Sequence, residues 1–153
     1  MTESWQTRYF RWTMNFWPCY RGSGGRITYV ARDWKEVRVR LRLSLRTRNY
    51  VGSIFGGSLY AAVDPLYMLM LIKCLGTGYL VWDKSASIRF RKPGRSTLTA
   101  KFKLDDAELD EIRHQLETQP KLDRTYRVEL VDANGIIHAE IDKIIHISKK
   151  QKP

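Results

Sequence analysis

Asp64 is the residue of this chain best placed by its surroundings to do chemistry. It lies within Leu59-Tyr60-Ala61-Ala62-Val63-Asp64-Pro65-Leu66-Tyr67-Met68-Leu69, the most apolar stretch of the sequence. Few side chains near it in sequence can pair with a carboxylate. Burial penalises the charged form, so the pKa of such a group is expected to rise. A lone titratable group in an apolar pocket is a candidate general base or nucleophile. A local reading stands beside this one. Proline favours the first position of a helix and aspartate the cap before it, so Asp64 also suits a capping role ahead of Pro65. The second element is Gly56-Gly57. Glycines let a ligand approach backbone N–H groups where a helix begins and the dipole is positive. Gly56 and Asp64 are eight residues apart, about 12 Å along a helix. One carbonyl cannot touch both within one chain. A shared site therefore requires two copies of the helix side by side, each lending one end.

The elements that must position these residues are legible in outline. A helix is predicted from Gly56-Gly57-Ser58 to about Leu75, apolar almost all round and so enclosed by other structure; Gly76 and Gly78 end it. Trp5, Tyr9, Trp12 and Phe16 recur at helical spacing. They predict an amphipathic N-terminal helix within residues 1–20, capped by Ser4, stopped by Pro18 and packed through its aromatic stripe. Arg26 to Arg48 reads as strand: Val37, Val39, Leu41, Leu43 and Leu45 alternate with Arg38, Arg40, Arg42, Ser44 and Arg46. Asn49 to Phe55 is a loop. Tyr79–Arg91 and Arg95–Leu104 read as strands around a Lys92-Pro93-Gly94 turn. Ala86, Ile88 and Phe90 alternate with polar residues in the first of them. Asp105–Thr118 is an acidic helix, and Leu122–Val131 and Ile136–Ile147 are strands joined at Asn134-Gly135. This is an α+β plan in which antiparallel strands enclose one long apolar helix. Residues 21–148 form its main domain, and residues 149–153 a frayed basic tail.

Composition narrows the partners. The chain has 153 residues, 43% of them hydrophobic, and a net charge of +11. One folded domain is expected, and disorder is excluded. The charge suits an anionic ligand, whether a phosphate-bearing cofactor, a membrane surface or nucleic acid. No RNA-recognition or homeodomain signature appears, so nucleic acid ranks last. The uninterrupted apolar run Leu66–Ile72 is too short to span a bilayer, which takes about 20 residues. The N-terminus lacks the pattern of a signal peptide. Cys19 and Cys74 make no disulfide framework and suit a reducing, cytoplasmic setting. His114, His138 and His146 have no metal-ligand spacing with either cysteine, so no metal is expected. Of the basic side chains, Arg91, Lys92 and Arg95 near the turn are the phosphate candidates. Most others are expected to pair across strands with Glu129, Glu140 and Asp142 or to face water.

Asn49-Tyr50-Val51-Gly52-Ser53-Ile54-Phe55-Gly56-Gly57, with Asp64 downstream, resembles the Asn-x-x-Gly-x-x-His-Gly-Gly and following Asp of hot-dog acyl-CoA thioesterases of the phenylacetate-pathway type. Ile88 to Gly94 and Thr97 to Ala100 resemble their strand, Arg-Pro-Gly turn and returning strand. Phe55-Gly56-Gly57-Ser58-Leu59-Tyr60, Asp64-Pro65, Met68-Leu69-Met70 and Val81-Trp82-Asp83-Lys84 are similar to the hot-dog subgroup called domain of unknown function 4442. The resemblance implies a sheet wrapped around the long helix, assembled as dimers or tetramers. It implies Asp64 as general base or nucleophile on a thioester, Gly56 as donor to the thioester oxygen and Asn49 as an orienting residue. Phe55, Gly57, Tyr60 and Met68 would contact substrate, the helix face from Tyr60 to Leu71 lining an acyl slot. Coenzyme A enters only as part of the substrate. Phe55 stands where the family shows His, and Pro65 follows the acid directly. The alternative these departures favour is a non-catalytic binder of acyl-CoA or acyl chains.

Overall fold

The computed structural model describes residues 2–150. The N-terminal helix α1 (Trp5–Phe16) is closed by a capping box in which Ser4 and Thr7 satisfy each other's backbone N–H groups. Pro18 then opens a short helix, α2 (Pro18–Ser23), at the position where a missing N–H costs nothing. A hairpin of β1 (Gly25–Val30) and β2 (Glu36–Leu41) follows. Next come the helical segments α3 (Gly56–Ala61) and α4 (Leu66–Leu75), and then β3 (Tyr79–Phe90), β4 (Leu98–Lys103), α5 (Asp106–Thr118), β5 (Lys121–Val131) and β6 (Ile137–Lys149). The strands form one six-stranded sheet in the order β1-β2-β4-β5-β6-β3, with every neighbouring pair antiparallel. The core lies between this sheet and α3–α4, the hot-dog arrangement. Leu66, Met70 and Leu71 of α4 are wholly buried, each contributing about 1.5–3 kcal/mol. Tyr67 stacks on Tyr126 of β5 and meets Phe102 of β4 edge-on.

Five expectations need correction. The long helix is two pieces, because Pro65 supplies no N–H and the chain turns through Ala62–Pro65 before α4 begins. The carbonyls exposed by that turn find new donors: Tyr20 Oη donates to Ala62 (2.9 Å) and Lys143 Nζ to Asp64. The Arg26–Arg48 run is two strands and a loop. Trp34 takes φ 63° in the hairpin turn. Beyond Leu41 the Thr47 hydroxyl accepts from Ser44 N–H and donates to the Arg42 carbonyl, curling the chain and leaving Leu45 exposed. The aromatic stripe of α1 faces outward. Its inner face is Thr7, Phe10 and Met14, with Phe10 edge-on against Trp34. Asn15 holds the helix there by accepting from Ile27 N–H (2.8 Å) and donating to the Ile27 carbonyl (2.9 Å), while Glu3 accepts from Val30 N–H. These side chains cover the β1 edge, which would otherwise offer free backbone groups. In β3 the expected alternation of burial is missing: residues 84–90 are exposed on both faces except for a half-buried Ile88. At the chain end, Lys149 belongs to β6 and Lys150 N–H donates to the Gly78 carbonyl (2.9 Å), so neither is frayed. The rest of that predicted tail, 151–153, lies outside the described residues.

Candidate functional site

One cleft of about 330 Å³ gathers a large part of the expected site: Asn49, Gly56, Leu59 and the segment from Phe90 to Gly94 line it. Local chemistry builds each wall. Asn49 Oδ1 accepts from Ser53 N–H and its Nδ2 donates to Ser53 Oγ, both at 3.0 Å. This closes a loop whose left-handed position is Gly52 (φ 79°). Ile54 N–H donates to the Gly94 carbonyl (2.8 Å), tying that loop to the turn after β3. The turn is held from behind by His138, whose Nδ1 donates to the Pro93 carbonyl (3.2 Å). The Phe90 ring lies over Gly56, 3.0 Å from where a Cβ would stand, so a side chain at 56 would press on the ring. Phe55 offers no side-chain cap to α3. The first N–H groups of that helix are therefore left without a partner from the helix itself.

Asp64 is elsewhere, and it is not stranded. Lys143 Nζ donates to Asp64 Oδ1 (2.7 Å) and to its backbone carbonyl, and lies 3.0 Å from Asp83 Oδ2. The lysine side chain is 0% exposed, against 41% for Asp64 and 25% for Asp83. The expectation of an unpaired acid in apolar surroundings is thus corrected: one buried cation serves two carboxylates. The capping role fails as well, since Pro65 and not Asp64 is the N-cap residue of α4, which has no side-chain cap. Burial pushes the Asp83 carboxyl above its ordinary range, Asp64 adds to the rise, and Lys143 opposes it. Its Oδ1 is buried without a hydrogen-bond partner. Burial also raises the Tyr60 hydroxyl pKa, reinforced by its hydrogen bond to Asp64. Lys143 and Asp83 were missed in the sequence, yet a signal for the lysine exists. It occupies the inward register of β6 between Ile141 and Ile145, where an unpaired cation could not persist.

The remaining candidates divide. Asn49, Gly56, Arg91 and Lys92 share the cleft; Asp64, Phe55, Gly57, Tyr60, Met68 and Arg95 are not among its lining residues. Phe55 folds its ring over Gly57, occupying the space of a Cβ there. Met68 packs half-buried against the core. Arg91, expected as a phosphate ligand, is bound to Glu140 (2.6 Å). Cross-strand pairing also takes Arg89 and Arg127, both to Asp142. Phe90 is one of the cleft residues that sequence reasoning missed, with Ser53, Ile54 and Leu59 among the others.

The family described as "Domain of unknown function (DUF4442)" matches residues 6–147. The chain belongs to this family. A search of curated proteins gives no match. Among solved structures, this DUF4442 chain is similar to a Pseudomonas aeruginosa protein of unknown function described as "Probable Thioesterase". The TM-score is 0.82 at 19% identity, covering 94% of this chain and 96% of that one. A Chlorobaculum tepidum protein of unknown function superposes with TM-score 0.74 at 13% identity, over 95% of each chain. A thioesterase from Haemophilus influenzae gives 0.70 at 12% identity, over 98% and 95%. At such identities these likenesses establish a common fold. Within that DUF4442 fold, two features stand seven residues apart along β3, one at Asp83 and one at Phe90. The Asn49–Gly56 cleft adjoins Phe90, and the Asp64–Lys143 pair adjoins Asp83.

Proposed function

We propose that this protein is an acyl-CoA thioesterase-like hydrolase whose site is completed by a second copy of the chain. The observation that carries the reading is the placement of the two half-sites seven residues apart, at Asp83 and Phe90, along an open edge strand. Among the described residues β3 pairs only with β6, and residues 84–90 are exposed on both faces except for a half-buried Ile88. An edge of this length is a template for pairing with another strand. If two β3 strands pair antiparallel with Asp83 opposite Phe90 of the other copy, the two-fold axis falls between Ala86 and Ser87. Small, exposed residues stand there. Asp64 of one protomer is then carried toward the Gly56 cleft of the other.

In that arrangement Asp64 takes a proton from water, and the resulting hydroxide attacks the thioester carbonyl. Gly56 N–H stabilises the developing oxyanion, and Asn49 orients the substrate. Collapse of the tetrahedral intermediate breaks the C–S bond and releases the acid and the thiol. Lys92 and Arg95 are the cations offered to the coenzyme phosphates, with Arg91 available once it leaves Glu140. Phe55, Gly57, Tyr60 and Met68 border the acyl chain. A dimer is the minimal assembly and a tetramer an extension of it, in a cytoplasmic setting. The test is hydrolysis of a panel of acyl-CoAs by wild type and Asp64→Asn. A general base contributes about 10²–10⁴ in rate, and equal rates for the two proteins reject this role. A second reading is favoured by the Lys143 contact, which engages Asp64, and by Phe55 in place of a polar residue. It is a non-catalytic binder of acyl-CoA, distinguished by calorimetric affinity without turnover.

A further inference from the structure

The outward stripe of α1 is an uncovered aromatic surface beside an arginine-lined cleft. Trp5 stacks on Tyr9 (5.9 Å between ring centroids), and Trp12 leans on Phe16 (5.0 Å). Trp5 is 78% exposed, Trp12 59% and Trp17, just beyond the helix, 60%. Nothing in the fold needs this face, because α1 is already secured by Phe10, Met14, Asn15 and Glu3 on the other. At the C-terminal end of the ridge, Phe16 forms part of a second cleft of about 350 Å³ whose charged lining is Arg21, Arg26, Arg40, Arg42 and Arg46. No carboxylate lines that cleft. None of the five arginines forms an ion pair among the described residues, whereas Arg38, Arg89, Arg91 and Arg127 on the same sheet all do.

We propose that the aromatic ridge of α1 and the adjoining arginine cleft together form a docking surface for an anionic phospholipid bilayer. The chemistry favours this occupant. Tryptophan and tyrosine rings partition to the level of the lipid headgroups, and a helix lying in that plane sinks its apolar face about 5–10 Å. Unpaired guanidinium groups beside it bind phosphate in bidentate fashion. The ridge is pinned through the opposite face of the helix by Asn15 and Glu3, which suits a deformable planar surface. The surface is separate from the Asn49–Gly56 cleft and from Asp64, so the inference stands whether or not the hydrolase reading holds.

The experiment is co-sedimentation of the full chain with vesicles of phosphatidylcholine alone and of phosphatidylcholine mixed with phosphatidylglycerol. Tryptophan emission is followed in parallel. Wild type is expected to pellet with the mixed vesicles, to shift its emission to the blue, and to release as salt rises. Each arginine near a charged surface is worth about fivefold in binding, so Arg40→Gln/Arg42→Gln should weaken it about 25-fold. Trp5→Ser/Trp12→Ser should abolish the emission shift and weaken binding about tenfold or more. Both pairs are surface changes, and an unchanged melting temperature verifies that. Asp64→Asn should bind as wild type does. The inference is overturned if wild type ignores the mixed vesicles or if neither variant pair weakens binding. It is equally overturned if the same residues serve self-association, seen as an oligomer that Trp5→Ser/Trp12→Ser dissociates without any effect of lipid. Binding of an RNA oligomer more tightly than the vesicles also overturns it.

Discussion

Replacing Lys143 with methionine tests the central electrostatic feature of the fold. Methionine keeps the length and most of the volume of the lysine stem, so packing between Ile141 and Ile145 survives while the cation goes. Removing one partner of a buried ion pair costs about 3–5 kcal/mol. Two observations place this case near the lower bound. The Asp64 side chain is 41% exposed and recovers water, whereas Asp83 is only 25% exposed and already has one oxygen unpartnered. A loss of about 3 kcal/mol in a chain of this size lowers the melting temperature by about 6–12 °C. The loss should depend on pH. The Asp83 carboxyl titrates above its ordinary range, so its contribution is fully present below that range and is lost as pH rises through the folded value. Without Lys143 the carboxyl rises further, and the gap between variant and wild type narrows on acidification. The assay is urea unfolding at several pH values, with Asp83→Asn and the double variant completing a cycle. Because the penalty of Lys143→Met is largely the charge left on Asp83, the cycle should show coupling of about 1–3 kcal/mol. A Lys143→Met protein within about 0.5 kcal/mol of wild type, or a cycle with no coupling, would refute the account.

Gly25 faces Ala62, and a Cβ there would stand 2.8 Å from the Ala62 Cβ and 3.0 Å from its Cα. Gly25→Ala should cost about 1–3 kcal/mol by overpacking, measured by denaturant midpoint. Burial pushes the Cys74 thiol up to about 11, while Cys19 is exposed. A thiol reagent at neutral pH should therefore label Cys19 in the folded protein and reach Cys74 only on unfolding, as mass spectrometry of the two peptides would report. Asp142 is held below its ordinary range chiefly by hydrogen bonds from Arg127. That stability is present above the ordinary carboxylate value and is lost as pH falls through the folded one. In Arg127→Gln the acid side of the stability curve should accordingly be shallower.

The elements were legible where a single force set them. The period-two burial of β4 and the acidic first turn of α5 follow directly from pattern and dipole. The failures are tertiary. The aromatic spacing of α1 gave the helix correctly but assigned the wrong face to the core, because Thr7, Phe10 and Met14 follow the same helical spacing. Periodicity locates a face and cannot say which of two is covered when one is aromatic and the other small and mixed. Trp34, Glu3 and Asn15 decided the matter through contacts far off in sequence.

The site shows the same division more sharply. Asn49 and Gly56 could be read together because one short loop and one helix start build that wall of the cleft locally; the other wall, Phe90 to Gly94, comes from the end of β3. The state of Asp64 was not, since its partner lies 79 residues away in β6. An acid in an apolar stretch of sequence is apolar only along the chain; across the sheet it can meet whatever the opposing strand turns inward. The inward register of Lys143 implies a carboxylate nearby as strongly as the isolation of Asp64 implies a cation. Taken together, the two positions predict each other. An unpaired acid was the wrong thing to seek, because a carboxylate held by a buried lysine keeps its direction. At 41% exposure, the Asp64 side chain remains open to solvent despite the lysine contact.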